Sequence, residues 1–213
     1  ETRQSLPVGE QGLVLIRGPQ VMLGYYKNPE ATEKAINSEG WFDTGDLGQV
    51  TEWADLILTG RAKDTIVLTN GENIEPQPIE EACIRSAYID QIMLVGQDQR
   101  SLGALIVPNW EALTQWAAEQ SLEIQPPDQP ETAAASGSQR ITLEGSAIQA
   151  LYRQELNREV KNRPGYRPDD RIGPFRLILE PFSIENGMLT QTLKMRRAIV
   201  TEHYRKIIDG MFF

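Results

Sequence analysis

LTGRAKDTIVLTNGENIEPQPIE, residues 58–80, joins a charged corner, a short β-rich run, a turn and a helix start in one stretch. Thr65–Thr69 (TIVLT) is mostly β-branched and reads as a strand. Gly71 follows at once, where the backbone turns or is approached closely. Pro76 and Pro78 then predict a helix start at Ile79-Glu80-Glu81. Ahead of the strand, Gly60-Arg61-Ala62-Lys63-Asp64 has few apolar residues and reads as a joint between two folded units.

On the N-terminal side of the joint, Gly12–Arg17 reads as a buried strand, and Asn28-Pro29-Glu30 opens a short helix, Pro29–Ile36. Gly40–Gly48 (GWFDTGDLG) reads as a loop with aromatic anchors and an acidic tip. Gln49–Trp53 and Asp55–Thr59 read as a hairpin turning near Trp53-Ala54. On the C-terminal side, a helix is expected over Ile79–Ser86, then strands Gln91–Gly96 and Leu102–Val107 as a hairpin, then a helix over Glu111–Gln120. Ser121–Ser138 shifts to Pro, Gln, Ala and Ser and reads as a linker or mobile insertion. Leu143, Ala147, Leu151, Leu156 and Val160 recur at helical spacing before Pro164-Gly165. A strand at Phe175–Leu179, a turn at Asn186-Gly187 and a helix over Arg196–Ile208 complete the chain.

The length of 213 residues suits one large or two small domains, and a charged fraction of 24% is ordinary for a soluble globular chain. No apolar run approaches the roughly 20 residues of a membrane helix. There is no secretory signal, and the opening ETRQSLPVGEQG reads as the middle of a longer protein. The single cysteine, Cys83, excludes an internal disulfide framework and fits a reducing, cytoplasmic compartment. The net charge of −9 divides into +4 over residues 140–213 and −13 over the remainder. An acidic chain argues against nucleic acid as a partner. The basic last third can meet phosphates or an acidic partner, or simply solvate a helix face.

Two places could carry chemistry. A carboxylate at Asp46 can accept both hydroxyls of a sugar cis-diol. The plainer reading is an Asx-turn, with Asp43 or Asp46 bonding nearby N–H groups. Lys194, after Thr190-Gln191-Thr192-Leu193 and at an expected helix start, can project toward an anion. A cation is disfavoured at a helix N-terminus, so something external should offset its placement. His203 reads as a surface residue and Cys83 as a small buried hydrophobe. No metal-ligand cluster is seen.

GYYKNPEATEKAI (24–36), GWFDTGDLG (40–48), TGRAKDTIVLTNGENIEPQPIEE (59–81) and LTQTLKMRR (189–197) occur in this order. The set resembles the C-terminal portion of the acyl-adenylate-forming (AMP-binding) superfamily: acyl-CoA synthetases, peptide-synthetase adenylation domains and luciferases. GENIEPQPIE and the TLK triplet look like the long-chain fatty acid branch, and the wider stretch looks most like cyanobacterial and plastid acyl-acyl carrier protein synthetases. The resemblance implies that Asp46 and Arg61 contact ATP or AMP, that Lys63 is a hinge, and that Gly71 lines the pantetheine tunnel. It implies that Lys194 is the catalytic lysine of adenylation. Leu193 departs from the commoner glycine, which predicts a differently shaped lysine loop.

The implied fold is α+β: the C-terminal end of a large β-rich adenylation domain (1–60), then a small mobile α+β lid domain (61–213) with a flexible insertion about 121–140. The implied activity is ATP-dependent fatty acid–thiol ligation in two steps, through an acyl-adenylate, to the pantetheine thiol of acyl carrier protein or of coenzyme A. Arg153, Arg158, Lys161, Arg163 and Arg167 are expected to form a basic face that meets either acceptor. The phosphate-gripping loop, the magnesium ligand and the acyl pocket are expected upstream, in the rest of the adenylation domain. The 213 residues alone are therefore expected to be inactive. A peripheral membrane contact fits the fatty acid substrate. The reading from another class is a non-catalytic lid or carrier-protein-binding module.

Overall fold

The computed structural model describes residues 4–125 and 139–212. The chain divides into two compact units, 1–65 and 66–213. The charged corner belongs to the first of them: Arg61 is still in β-register with Asp46, Ala62–Asp64 is a single 3₁₀ turn, and the Thr65 hydroxyl donates back to the Arg61 carbonyl at 3.4 Å.

The first unit is an antiparallel sheet in the order β1 (Gln11–Ile16), β2 (Phe42–Val50), β3 (Leu56–Arg61), with helix α1 (Pro29–Ala35) between β1 and β2. The Asn28 side chain caps α1 by accepting from the Ala31 N–H at 3.0 Å, and Pro29 fills the first helical position. GWFDTGDLG is not a loop, since from Phe42 onward it is the central strand. Its glycines mark irregularities of that strand instead. Gly45 takes φ +70° where the pairing with β1 slips between Leu13 and Leu15, and the Thr44 hydroxyl bonds the Val14 carbonyl at 2.8 Å. At Gly48 a Cβ would lie 2.8 Å from the Ile57 carbonyl oxygen, so the β2–β3 approach itself requires glycine.

The second unit opens with a minimal hairpin, β4 (Ile66–Val67) and β5 (Asn73–Ile74), and helix α2 (Pro76–Cys83). The helix begins at Pro76, earlier than Ile79, because both prolines fall in the first turn, where N–H groups have no intrahelical acceptor. Next come β6 (Ile89–Val95), β7 (Leu102–Pro108), α3 (Trp110–Glu119), β8 (Leu122–Ile124), β9 (Gln139–Ile141), α4 (Ser146–Lys161), β10 (Ile172–Leu177), α5 (Arg197–His203) and α6 (Arg205–Asp209). The main sheet runs β10-β7-β6, with β6 antiparallel and β10 parallel to β7. Ile92, Leu94, Ala104 and Ile106 enter one core with Ile79, Leu113, Ile148 and Tyr152. Met93, Val95, Leu105 and Val107 enter a second core with Phe182, Met188 and Val200. Burial on both faces explains why these strands read as continuous apolar runs.

Three sequence expectations change here. The stretch about 121–140 begins and ends in a parallel β8–β9 ladder, so its ends are ordered strands, while residues 126–138 lie outside the described residues. The inward face of α4 is Ile148, Tyr152, Leu156 and Val160, whereas Ala147 and Leu151 are only half-buried. The terminal helix is two pieces, α5 and α6, broken at Tyr204, whose backbone leaves the helical region at ψ 15° as its ring enters the second core.

Candidate functional site

In the first unit the ladder places Asp46 directly opposite Arg61, and the carboxylate meets the guanidinium Nε at 3.1 Å. The neighbouring acid takes the plainer role: Asp43 accepts from the Gly45 N–H at 2.8 Å as an Asx-turn. Two carboxylates three residues apart are thus separated by strand geometry, one turned to its own backbone and one to a cation. A carboxylate has about four lone-pair directions, so the Arg61 contact leaves capacity for hydroxyl donors. Lys63 is exposed on the 3₁₀ turn, just before the boundary between the units.

In the second unit Gly71 sits at the tip of the β4–β5 hairpin with φ +87°. Its N–H donates to the Leu68 carbonyl, and the Leu68 N–H to the Glu72 carbonyl, both at 2.9 Å. A Cβ at Gly71 would meet no heavy atom within 4 Å, so in this unit the backbone conformation, not crowding, calls for glycine.

Lys194 does not open a helix, because α5 begins only at Arg197. It lies in a tight loop closed by the Leu189–Met195 bridge. Thr190 organises that loop: its N–H donates to the Lys194 carbonyl at 2.9 Å, and its hydroxyl accepts the Lys194 N–H at 3.0 Å. The lysine side chain is exposed, with no ion-pair partner among the described residues. The expected electrostatic conflict with a helix N-terminus therefore does not arise. Leu193 adopts φ +59°, the left-handed conformation that a glycine would take, with its side chain 70% exposed. The loop keeps a glycine-type backbone despite the departure, at a cost of about 1–2 kcal/mol.

Arg197, three residues beyond the lysine, was not singled out by sequence. Its guanidinium forms an ion pair with Glu80 of α2 and donates to the Leu94 carbonyl at 3.1 Å. Glu80 in turn accepts the Leu94 N–H at 2.6 Å. The pair therefore takes up both peptide groups of Leu94, on the edge strand β6, and fastens α5 and the lysine loop to the sheet. The available signal was a charge of each sign inside two motifs already quoted.

Four of the five basic residues are engaged within the chain. Arg158 pairs with Glu155 and Glu159 at 2.7 and 2.8 Å. Arg163 and Arg167 both pair with Asp170. Arg153 donates to the Ile172 carbonyl at 2.7 Å and lies over the Phe175 ring, and burial lowers its pKa from the usual arginine value. Arg153 and Lys161 have no ion pair among the described residues. The arginines recur where carboxylates also recur, at Glu155, Glu159 and Asp170, all buried. A count of charges does not reveal that they meet one another.

Cys83 is buried on α2. Burial first, then the Glu80 and Glu159 carboxylates, push its thiol up to about 12, with Arg85 pulling the other way. An aromatic disulfide reagent at pH 8 is therefore expected to label the folded chain at least about 10³-fold more slowly than the urea-unfolded chain. Rapid stoichiometric labelling without urea would contradict this placement. Among the described residues no group of three or more His, Cys, Asp or Glu could hold a metal ion, and no helix is long and apolar enough to cross a membrane.

Residues 63–162, from Lys63 to the cap of α4, match the AMP-binding enzyme C-terminal domain. That stretch, just under half of the chain, is similar to this domain family. Over its whole length it is 41% identical to probable acyl-activating enzyme 16, chloroplastic, of Arabidopsis thaliana, covering 28% of that protein. It is 38% identical to the chloroplastic long-chain-fatty-acid–[acyl-carrier-protein] ligase AEE15 of Arabidopsis thaliana, again along its whole length and over 27% of the relative. Human long-chain-fatty-acid–CoA ligase 1 is 30% identical over 95% of this chain and 27% of its own length. The chain thus spans little more than a quarter of these relatives. The A domain of the carboxylic acid reductase from Segniliparus rugosus, solved with AMP and a carboxylic acid, shares the fold, with a TM-score of 0.76, 24% identity, and coverage of 95% of this chain and 28% of that one.

Proposed function

We propose that the chain is the C-terminal part of an ATP-dependent ligase that joins a long-chain fatty acid to the pantetheine thiol of acyl carrier protein. The observation that carries this reading is the Asp46–Arg61 pair, a half-buried carboxylate placed beside a guanidinium by β-register. It offers a diol acceptor and a phosphate-compatible cation side by side, as a bound adenylate requires. In the first step a carboxylate oxygen of the fatty acid attacks the ATP α-phosphorus and pyrophosphate leaves. In the second, the thiol sulfur attacks the acyl carbonyl carbon, the bond to the AMP oxygen breaks, AMP departs and the thiol proton passes to solvent. Lys194 stabilises charge in the first step, the Gly71 turn borders the thiol path in the second, and the chain pivots at Lys63 between them. Magnesium, whose ligand is expected on the rest of the adenylation domain, would offset phosphate charge.

The similarity to human long-chain-fatty-acid–CoA ligase 1 favours coenzyme A as the second reading of the acceptor. The experiment gives the full-length protein labelled fatty acid, ATP and each acceptor in turn. Acylated carrier protein without acyl-CoA is expected. The reverse product would move the assignment to coenzyme A, and absence of both products and of ATP–pyrophosphate exchange would leave only a binding module. The 213-residue chain by itself is expected to show no exchange.

A further inference from the structure

The geometry points to Arg167 and Asp169 as positioning residues that hold the Gly71 turn in shape for thiol transfer, an inference that rests on the function proposed above. The β4–β5 hairpin has only two paired positions, Ile66 with Ile74 and Val67 with Asn73. Two such short strands are too few to hold a turn by themselves. Packing does not hold its tip either, because Asn70, Gly71 and Glu72 are exposed and a Cβ at Gly71 would meet nothing within 4 Å. The Thr69 N–H donates to the Gln99 carbonyl at 2.9 Å and the Glu72 N–H to the Asn70 side chain at 3.1 Å, and polar ties from almost a hundred residues downstream add to these at the tip. On one side of Gly71, the Asn70 side-chain amide donates to Asp169 at 3.0 Å. On the other, Arg167 donates to the Asn73 carbonyl at 3.1 Å and faces the Glu72 carboxylate at 3.5 Å.

The anchor behind these ties is rigid. Asp170, 1% exposed, accepts the Arg167 N–H at 2.8 Å and pairs with the guanidinium groups of both Arg163 and Arg167. A buried carboxylate with several charge-assisted bonds fixes the 167–170 segment, and that segment grips the turn at two points flanking the glycine. Arg167 is thus spent on the protein itself, where the sequence suggested a contact with the acceptor.

The test separates positioning from acceptor binding. Arg167→Met and Asp169→Ala are made in the full-length protein, and hydrogen exchange is followed at the Leu68 and Gly71 amides and at the β6–β7 sheet. Both variants are expected to speed exchange at the turn about tenfold while leaving the sheet unchanged. With preformed acyl-adenylate, both are expected to lower the rate constant of thiol transfer by about tenfold at saturating acceptor, with ATP–pyrophosphate exchange intact. Asp169 carries the wrong charge to attract an acidic carrier or a phosphate, so its loss should not weaken acceptor binding. Unchanged exchange at the turn in both variants would overturn the positioning role, whatever the protein's activity. So would an effect of Arg167→Met alone, confined to the KM for acceptor. If the parent protein shows no ligase activity, the functional proposal fails, while the exchange result still decides whether the turn is clasped. The exposed Asn70–Asp169 tie keeps the test open should Arg167→Met disturb folding.

Discussion

Alanine at position 194 of the full-length protein is expected to lower acyl-adenylate formation by about 10²–10³-fold or more, and to lower thiol transfer from preformed acyl-adenylate far less. The asymmetry follows from what the lysine can do. Its loop is built on backbone bonds to Thr190, with the Leu189–Met195 bridge behind them, and none of these uses the lysine side chain. Removing the ammonium group therefore removes a charge without removing the loop. The side chain is exposed and reaches no carboxylate among the described residues, so its loss exposes no buried partner. A mobile point charge on a preformed loop contributes most where negative charge builds on the attacked phosphate. Glutamine at 194 should behave like alanine. ATP–pyrophosphate exchange reads the first step and single-turnover transfer of isolated acyl-adenylate reads the second; equal losses in both would remove Lys194 from its assigned role.

Methionine at position 197 is expected to cost the second unit about 3–5 kcal/mol, and to lower its unfolding midpoint on the order of 10 °C. The guanidinium and carboxylate side chains of Arg197 and Glu80 are 17% and 10% exposed, so little water can replace either partner. Deleting the arginine removes the cation paired with the Glu80 carboxylate and the donor that the Leu94 carbonyl accepts from. Adding Glu80→Leu to Arg197→Met should recover only part of the loss. It removes the carboxylate that has lost its arginine, but leaves the Leu94 N–H, which now donates to Glu80, without that acceptor. The measurement is hydrogen exchange of the β6 and β7 amides in the 213-residue chain, which reports the unit that contains the pair. A single variant that exchanges like the parent would show that the pair contributes nothing to stability. In the full-length protein the same substitution should also impair adenylation, since α5 and the lysine loop share this attachment.

Most elements were legible in the sequence because their signals are local. Asn28-Pro29 marks α1 through a cap and a proline, and the β6 and β7 runs announce strands buried on both faces. The misreadings have a common source. Glycines in GWFDTGDLG suggest a loop when taken locally, but between two partner strands they serve a bulge and a close approach. The prolines at 76 and 78 suggest a helix that starts after them, although the first turn tolerates both. Lys194 lies near a helix in sequence, yet the bridge from Leu189 to Met195 places it on a separate loop.

The charged joint at 58–80 and the motifs around Asp46, Arg61, Gly71 and Lys194 are properties of the sequence by itself. Residue type and short-range order suffice to nominate a diol acceptor, a turn and an anion-seeking lysine. Only the tertiary structure decided which charges remain for a ligand. It turned Asp43 toward its own backbone and Asp46 toward Arg61. It spent Arg158, Arg163 and Arg167 on buried carboxylates, and it joined Glu80 to Arg197 across more than a hundred residues. The reason is that an ion pair depends on distance in space and on exclusion of water. Neither quantity is a function of position along the chain.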